Sequence, residues 1–120
     1  MTLSVATDRG TTYHLYDRVS NKTIALGSSP SLAYAEHLSD LRPVSFSARD
    51  GLTLHGYLTI PKGTSGRGLP LVLLVHGGPW GRDNFADSAT ASWLANRGYA
   101  VLQVNFRAST GFGKDFVNAG

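Results

Sequence analysis

Cysteine is absent from this 120-residue chain, which removes disulfides, thiolate metal sites and a cysteine nucleophile from consideration. Long apolar runs are missing too. The longest, Leu69 to Val75, is broken by Pro70 and falls far short of the roughly 20 residues that a membrane span needs. Met1-Thr2-Leu3-Ser4-Val5-Ala6-Thr7-Asp8 has neither a basic start nor an apolar stretch, so no secretory leader is read there. The missing cysteines and leader tilt the expected compartment toward the cytoplasm without fixing it. No charge field of one sign exists either: 11 Lys and Arg against 8 Asp and Glu give a formal charge of +3. The basic residues are scattered from Arg9 to Lys114 and never alternate with aromatics. Neither nucleic-acid binding nor membrane association is therefore expected. Gly111-Phe112-Gly113-Lys114 lacks the phosphate-loop spacing, and Asp115 after it would repel phosphate. Finally, the chain holds no G-x-S-x-G, the elbow that presents a nucleophilic serine in α/β-hydrolases.

What is present suits a globular α/β fold. Hydrophobic residues make up 42% of the chain, enough for a core at this length. Leu3-Ser4-Val5-Ala6, Tyr13-His14-Leu15-Tyr16-Asp17 and Thr23-Ile24-Ala25-Leu26 alternate between turns at Asp8-Arg9-Gly10 and Ser20-Asn21-Lys22, predicting a three-strand meander like one propeller blade. Leu32 to Leu41 is open between a short helix and a crossing connection. Val44–Ser47 and Leu52–Pro61, joined by Arg49-Asp50-Gly51, read as a hairpin. Leu71–Val75 has no polar alternation, as expected of a strand covered on both faces. Asp83 or Asn84 is a candidate cap for a helix to Arg97 whose apolar side holds Phe85, Ala86, Ala89, Trp93 and Leu94. Gly98 suits a helix-ending glycine. Tyr99–Phe106 then predicts a second buried strand, so Leu71–Phe106 forms a βαβ unit. A sheet ending on Tyr99–Phe106 would expose a long apolar edge; the sequence is accordingly read as a piece of a larger enzyme, expected to aggregate or stay partly unfolded by itself.

The chemistry centres on Val75-His76-Gly77-Gly78-Pro79-Trp80. A buried strand that stops in His-Gly-Gly can present backbone N–H groups to the oxygen of a tetrahedral intermediate, with glycine permitting close approach. The alternative is an ordinary strand-ending turn. His76 precedes that turn and is read as shaping it through a ring hydrogen bond. Trp80 either lines an acyl or leaving-group pocket or covers the following helix. Arg107, at the carboxyl end of a strand where open α/β sheets bind ligands, either meets a substrate carbonyl or carboxylate or makes an internal ion pair. Ser109 is set aside as a nucleophile because Arg107 stands where the elbow needs a small residue. His14, His37 and His55 show no metal-ligand spacing and are read as structural. No metal and no cofactor are called for.

Taken in order, four stretches resemble the prolyl oligopeptidase family of serine peptidases, nearest its acylaminoacyl-peptidase and dipeptidyl-aminopeptidase-like branch. They are Ala48–Thr59, His76–Trp80, Asn96–Val101 and Val104–Lys114; Ser4 to Leu26 is also similar to that family's last propeller blade. The resemblance implies strands of a β-propeller over residues 1–41 and the N-terminal part of an α/β-hydrolase domain over 42–120. It implies oligopeptide substrates and a Ser-Asp-His triad lying beyond Gly120, with the remaining hydrolase domain and propeller as partners. It assigns the oxyanion role to Gly77 and Gly78. Ala108 departs from the glycine usual in that family. Two alternatives stay open: an esterase or lipase on the same fold, and a non-catalytic binding protein that kept it.

Overall fold

The computed structural model describes residues 1–78 and 80–120; Pro79 of the glycine turn lies outside the described residues. Residues 2–28 form an antiparallel meander of β1 (Thr2–Thr7), β2 (Gly10–Asp17) and β3 (Lys22–Ser28). Asn21, at φ 55°, takes the left-handed turn between the last two, a conformation asparagine tolerates better than most residues. The open segment that follows is a 3₁₀ helix, Pro30–His37, led by its proline.

A second sheet contains β4 (Asp40–Ser47), β5 (Thr53–Ile60), β6 (Leu71–Leu74) and β7 (Ala100–Asn105), in the order β4-β5-β7-β6. The β4–β5 hairpin closes through Ala48 N–H to Leu52 C=O at 2.8 Å, with Gly51 at φ 87°. Pro43 falls in β4, an outer strand, where its missing N–H costs least. β7 pairs antiparallel with β5 and parallel with β6, and α1 (Ala89–Ala95) packs on β5 and β7. The expected βαβ unit is therefore present. Its helix ends on a paired close: Gly98 N–H to Ala95 C=O at 3.0 Å and Tyr99 N–H to Leu94 C=O at 3.3 Å, with Gly98 at φ 89°. That is the glycine-terminated close expected at Gly98.

Four expectations fail for non-local reasons. The helix begins at Ala89, not near Asn84, because Ser88 is its cap, its side chain accepting from Ala91 N–H. Asp83 is occupied by bonds from β7 instead, and Asp87 N–H is drawn to Thr7 C=O of β1 at 3.0 Å. The buried face of α1 is Ala91 and Ala95, whereas Trp93 is exposed under the Arg97 guanidinium, 4.2 Å from its ring centroid. The strand taken for the edge, β7, is interior. Its residues Val101 and Asn105 are fully buried, and β6 is the edge instead. β6 is also not covered on both faces. Leu71, Leu73 and Val75 stand 55–59% exposed, and Leu73 and Val75 line an apolar trough with Phe46, Leu54, Leu102, Val104 and Phe106.

The two sheets touch through Arg9. Its guanidinium donates to Ala35 and Leu38 C=O at 3.2 and 3.0 Å and meets the Asp40 carboxylate at 2.8 Å. No helix among the described residues is long and apolar enough to cross a membrane.

Candidate active-site turn

The last residues of β6 and β7 run in parallel and release their loops at the same end of the sheet. From β6 comes His76-Gly77-Gly78; from β7 comes Phe106-Arg107-Ala108-Ser109. His76 joins the two. Its ring stacks on Phe106 with centroids 4.4 Å apart and planes 19° from parallel. Its Nδ1 lies 2.9 Å from the Gly77 carbonyl oxygen, and its Nε2 lies 2.9 Å from Ser109 Oγ. The expected ring hydrogen bond that shapes the turn is present, and it has a second end that the sequence did not reveal.

Three further contacts hold the segment. Thr110 N–H donates to Gly81 C=O at 3.0 Å. Asn105, fully buried, grips the backbone of Asp83 twice: Oδ1 accepts from Asp83 N–H at 2.7 Å and Nδ2 donates to Asp83 C=O at 3.1 Å. Gln103 Nε2 donates to Asp83 Oδ1 at 3.1 Å. Sequence reasoning missed Asn105 and Gln103 as anchors. The signal was available, since two amides inside an otherwise apolar strand must find partners once buried.

Between these anchors the glycines are open. Gly77 and Gly78 are both exposed, and among the described residues no acceptor is bonded to the amide of either. A Cβ on Gly77 would meet nothing within 4 Å, while one on Gly78 would sit 3.1 Å from Trp80 N. Trp80 stands 76% exposed beside them.

Arg107 has a partner. Its Nη2 lies 2.8 Å from Asp50 Oδ2 in the β4–β5 turn, the ion-pair alternative that the sequence left open. The hydrogen bond from Arg107, helped by the Leu52 amide, holds the Asp50 carboxyl below its ordinary range. Arg82 lies instead over the Phe112 ring at 4.8 Å. His55 stacks on the same Phe112 ring, centroids 4.8 Å apart and nearly parallel, and its Nδ1 is 2.9 Å from Ser45 Oγ. His55 is thus a packing residue, as expected.

Ser109 requires a decision, because a serine hydroxyl within hydrogen-bond reach of an imidazole is how an activated nucleophile looks. Two facts speak against that role. Ser109 is 0% exposed, so no carbonyl carbon can approach Oγ. The other ring nitrogen of His76 faces a backbone carbonyl, not a carboxylate that would stabilise an imidazolium. The pair is a fastening. Ala108 before it holds φ 74°, strained for a residue with a Cβ.

The chain is 49% identical over 115 residues to dipeptidyl aminopeptidase BIII of Pseudoxanthomonas mexicana, matching 90% of this chain and 17% of that relative. It belongs to the prolyl oligopeptidase family. Human acylamino-acid-releasing enzyme is 43% identical over 49 residues, covering 41% of this chain and 7% of the human protein. Among solved structures, the acylaminoacyl peptidase of Pyrococcus horikoshii superposes with a TM-score of 0.74 at 26% identity, over 96% of this chain and 18% of its own. No protein-family model matches. The chain thus spans 17% or less of the length of these curated relatives. These similarities make it part of a peptidase family whose structures combine propeller and hydrolase domains.

Proposed function

We propose that this chain carries the oxyanion-binding turn of a serine peptidase that cleaves oligopeptides through an acyl-enzyme, and that its nucleophile is encoded outside residues 1–120. Residues 1–41 then belong to the last blade of a propeller and 42–120 to the start of the hydrolase domain. The observation that carries the reading is the pair of exposed glycine amides at the carboxyl end of β6, each without an acceptor among the described residues. An attacking serine turns a planar carbonyl into a tetrahedral centre with charge on its oxygen. Fixed N–H donors stabilise that charge without reorganising, and losing one costs about 10²–10³-fold in kcat in a related chemistry. Gly77 and Gly78 supply one such donor from this turn, and a second would follow the nucleophile on its own turn. Trp80 would line the pocket beside them. Arg107, bound to Asp50, would act on substrate only indirectly.

A fluorophosphonate probe tests the reading. Applied to the intact enzyme, followed by peptide mapping, it should label a serine outside residues 1–120, and the labelled enzyme should lose hydrolysis of peptide anilides. Labelling at Ser109, or an enzyme that turns over esters but no peptide, would refute it.

A further inference from the structure

We infer that Ser109, acting through His76, is a positioning residue for the oxyanion turn: its buried hydroxyl fixes the imidazole tautomer that orients the Gly77–Gly78 peptide. The inference rests on the function proposed above and deepens it.

The chain of atoms leaves little choice. A backbone carbonyl oxygen can accept a hydrogen bond but cannot donate one. The 2.9 Å contact between His76 Nδ1 and the Gly77 oxygen therefore requires the proton on Nδ1. In the neutral ring Nε2 then carries the lone pair, and the 2.9 Å contact to Ser109 requires the hydroxyl to donate. Ser109 is fully buried, so no bulk water competes for that donor. The sequence O–H to Nε2, then Nδ1–H to O=C, runs from the β7 loop to the turn without a break. Stacking on Phe106 fixes the ring plane through which it passes.

The consequence falls on Gly78. Every described peptide bond is trans, so the C=O of Gly77 and the N–H of Gly78 point in opposite directions in one plane. Tying the carbonyl to the imidazole turns the Gly78 N–H away from the ring, toward the side on which both glycines are exposed. Glycine at both positions would otherwise let this peptide rotate. A donor held in advance is worth more in a transition state than one that must be oriented during the reaction.

The test uses the intact enzyme with Ser109→Ala, Ser109→Cys and, as a control, Ser45→Ala, which removes the comparable but remote contact to His55. Ser109→Ala should lower kcat about tenfold, less than the roughly 10²–10³-fold of deleting a donor outright, with KM changed less than twofold. Affinity for a peptide aldehyde, whose adduct places an oxyanion in the turn, should fall by the same factor as kcat, while product affinity stays constant. Ser109→Cys, retaining a weak donor, should recover part of the loss, and Ser45→Ala should behave as wild type. Should Ser109→Ala not fold, ¹⁵N-histidine spectra of the unsubstituted enzyme still decide, since they must show His76 protonated at Nδ1 and bare at Nε2. Protonation at Nε2 instead would overturn the positioning role and leave the turn reading standing. The Nδ1–H tautomer together with a peptide-aldehyde affinity unmoved by Ser109→Ala would likewise overturn the positioning role, and the turn reading would then stand or fall on the fluorophosphonate labelling above.

Discussion

Asn105 offers a direct check on how the turn is anchored. Replacing it with alanine would strip Asp83 of both backbone partners, the N–H bonded at 2.7 Å and the C=O bonded at 3.1 Å, inside a site where Asn105 itself is fully buried. Each buried backbone group left unpaired costs roughly 1–3 kcal/mol, so losing both partners should destabilise by about 2–6 kcal/mol. Asn105→Asp sharpens the question. It retains an acceptor for the Asp83 N–H but sets a carboxylate oxygen where Nδ2 now donates to the Asp83 carbonyl, and it adds a second negative charge beside the Asp83 carboxylate. It should therefore cost at least as much as alanine, despite being nearly the same shape. Urea unfolding of the intact enzyme, compared at constant slope, would read both changes as a lowered midpoint. Asn105→Asp within about 0.5 kcal/mol of wild type would refute the reasoning, because a donor to that carbonyl would then be unnecessary.

Gly56→Ala should destabilise by about 1–3 kcal/mol or more, since the new Cβ would press on the Gln103 carbonyl of the paired strand, a backbone atom that cannot swing aside; a thermal melt unchanged from wild type would contradict this. Ala108→Gly should leave stability within about 1 kcal/mol of wild type, because relief of the left-handed backbone, worth roughly 1–2 kcal/mol, offsets the lost methyl and the freer unfolded chain; a drop above about 2 kcal/mol in the same urea assay would count against it. The Asp50 carboxyl is held below its reference value of 3.8 by Arg107. A depressed native value contributes stability that is present above the unfolded value and lost as pH falls through the native one. An NMR titration of Asp50 should therefore show a midpoint below 3.8, returning upward in Arg107→Ala.

Local patterns made much of this fold legible. The meander, the Arg49–Gly51 hairpin, the βαβ unit and the Gly98 helix close all follow from alternation or turn chemistry within a few residues. What failed was decided by distant partners. Asp83 and Asn84 have the composition of a helix cap, yet Asp83 is claimed by Asn105, 22 residues away. Whether Tyr99–Phe106 lay inside the sheet or at its edge depended on β5, and nothing in the strand itself states its neighbours. In the site, the glycine turn was visible as a motif. Ser109 lacks the small neighbour that a nucleophile elbow needs, and its tie to His76 spans 33 residues and leaves no local trace. Arg107 was recognised as one of two things, and Asp50, 57 residues away, supplied the ion pair.

The strand order has a consequence for how the polypeptide is made. β7 lies between β5 and β6 but is synthesised after both. As the chain leaves the ribosome, Leu71–Leu74 therefore emerges with no strand beside it and must wait roughly 25 further residues, a second or more at ordinary elongation rates. During that interval an apolar segment without gatekeeping charge is free to pair with a neighbouring nascent chain. Arrival of Ala100–Asn105 closes that window and delivers the asparagine that anchors the segment, with the serine that fastens His76 following in the next loop.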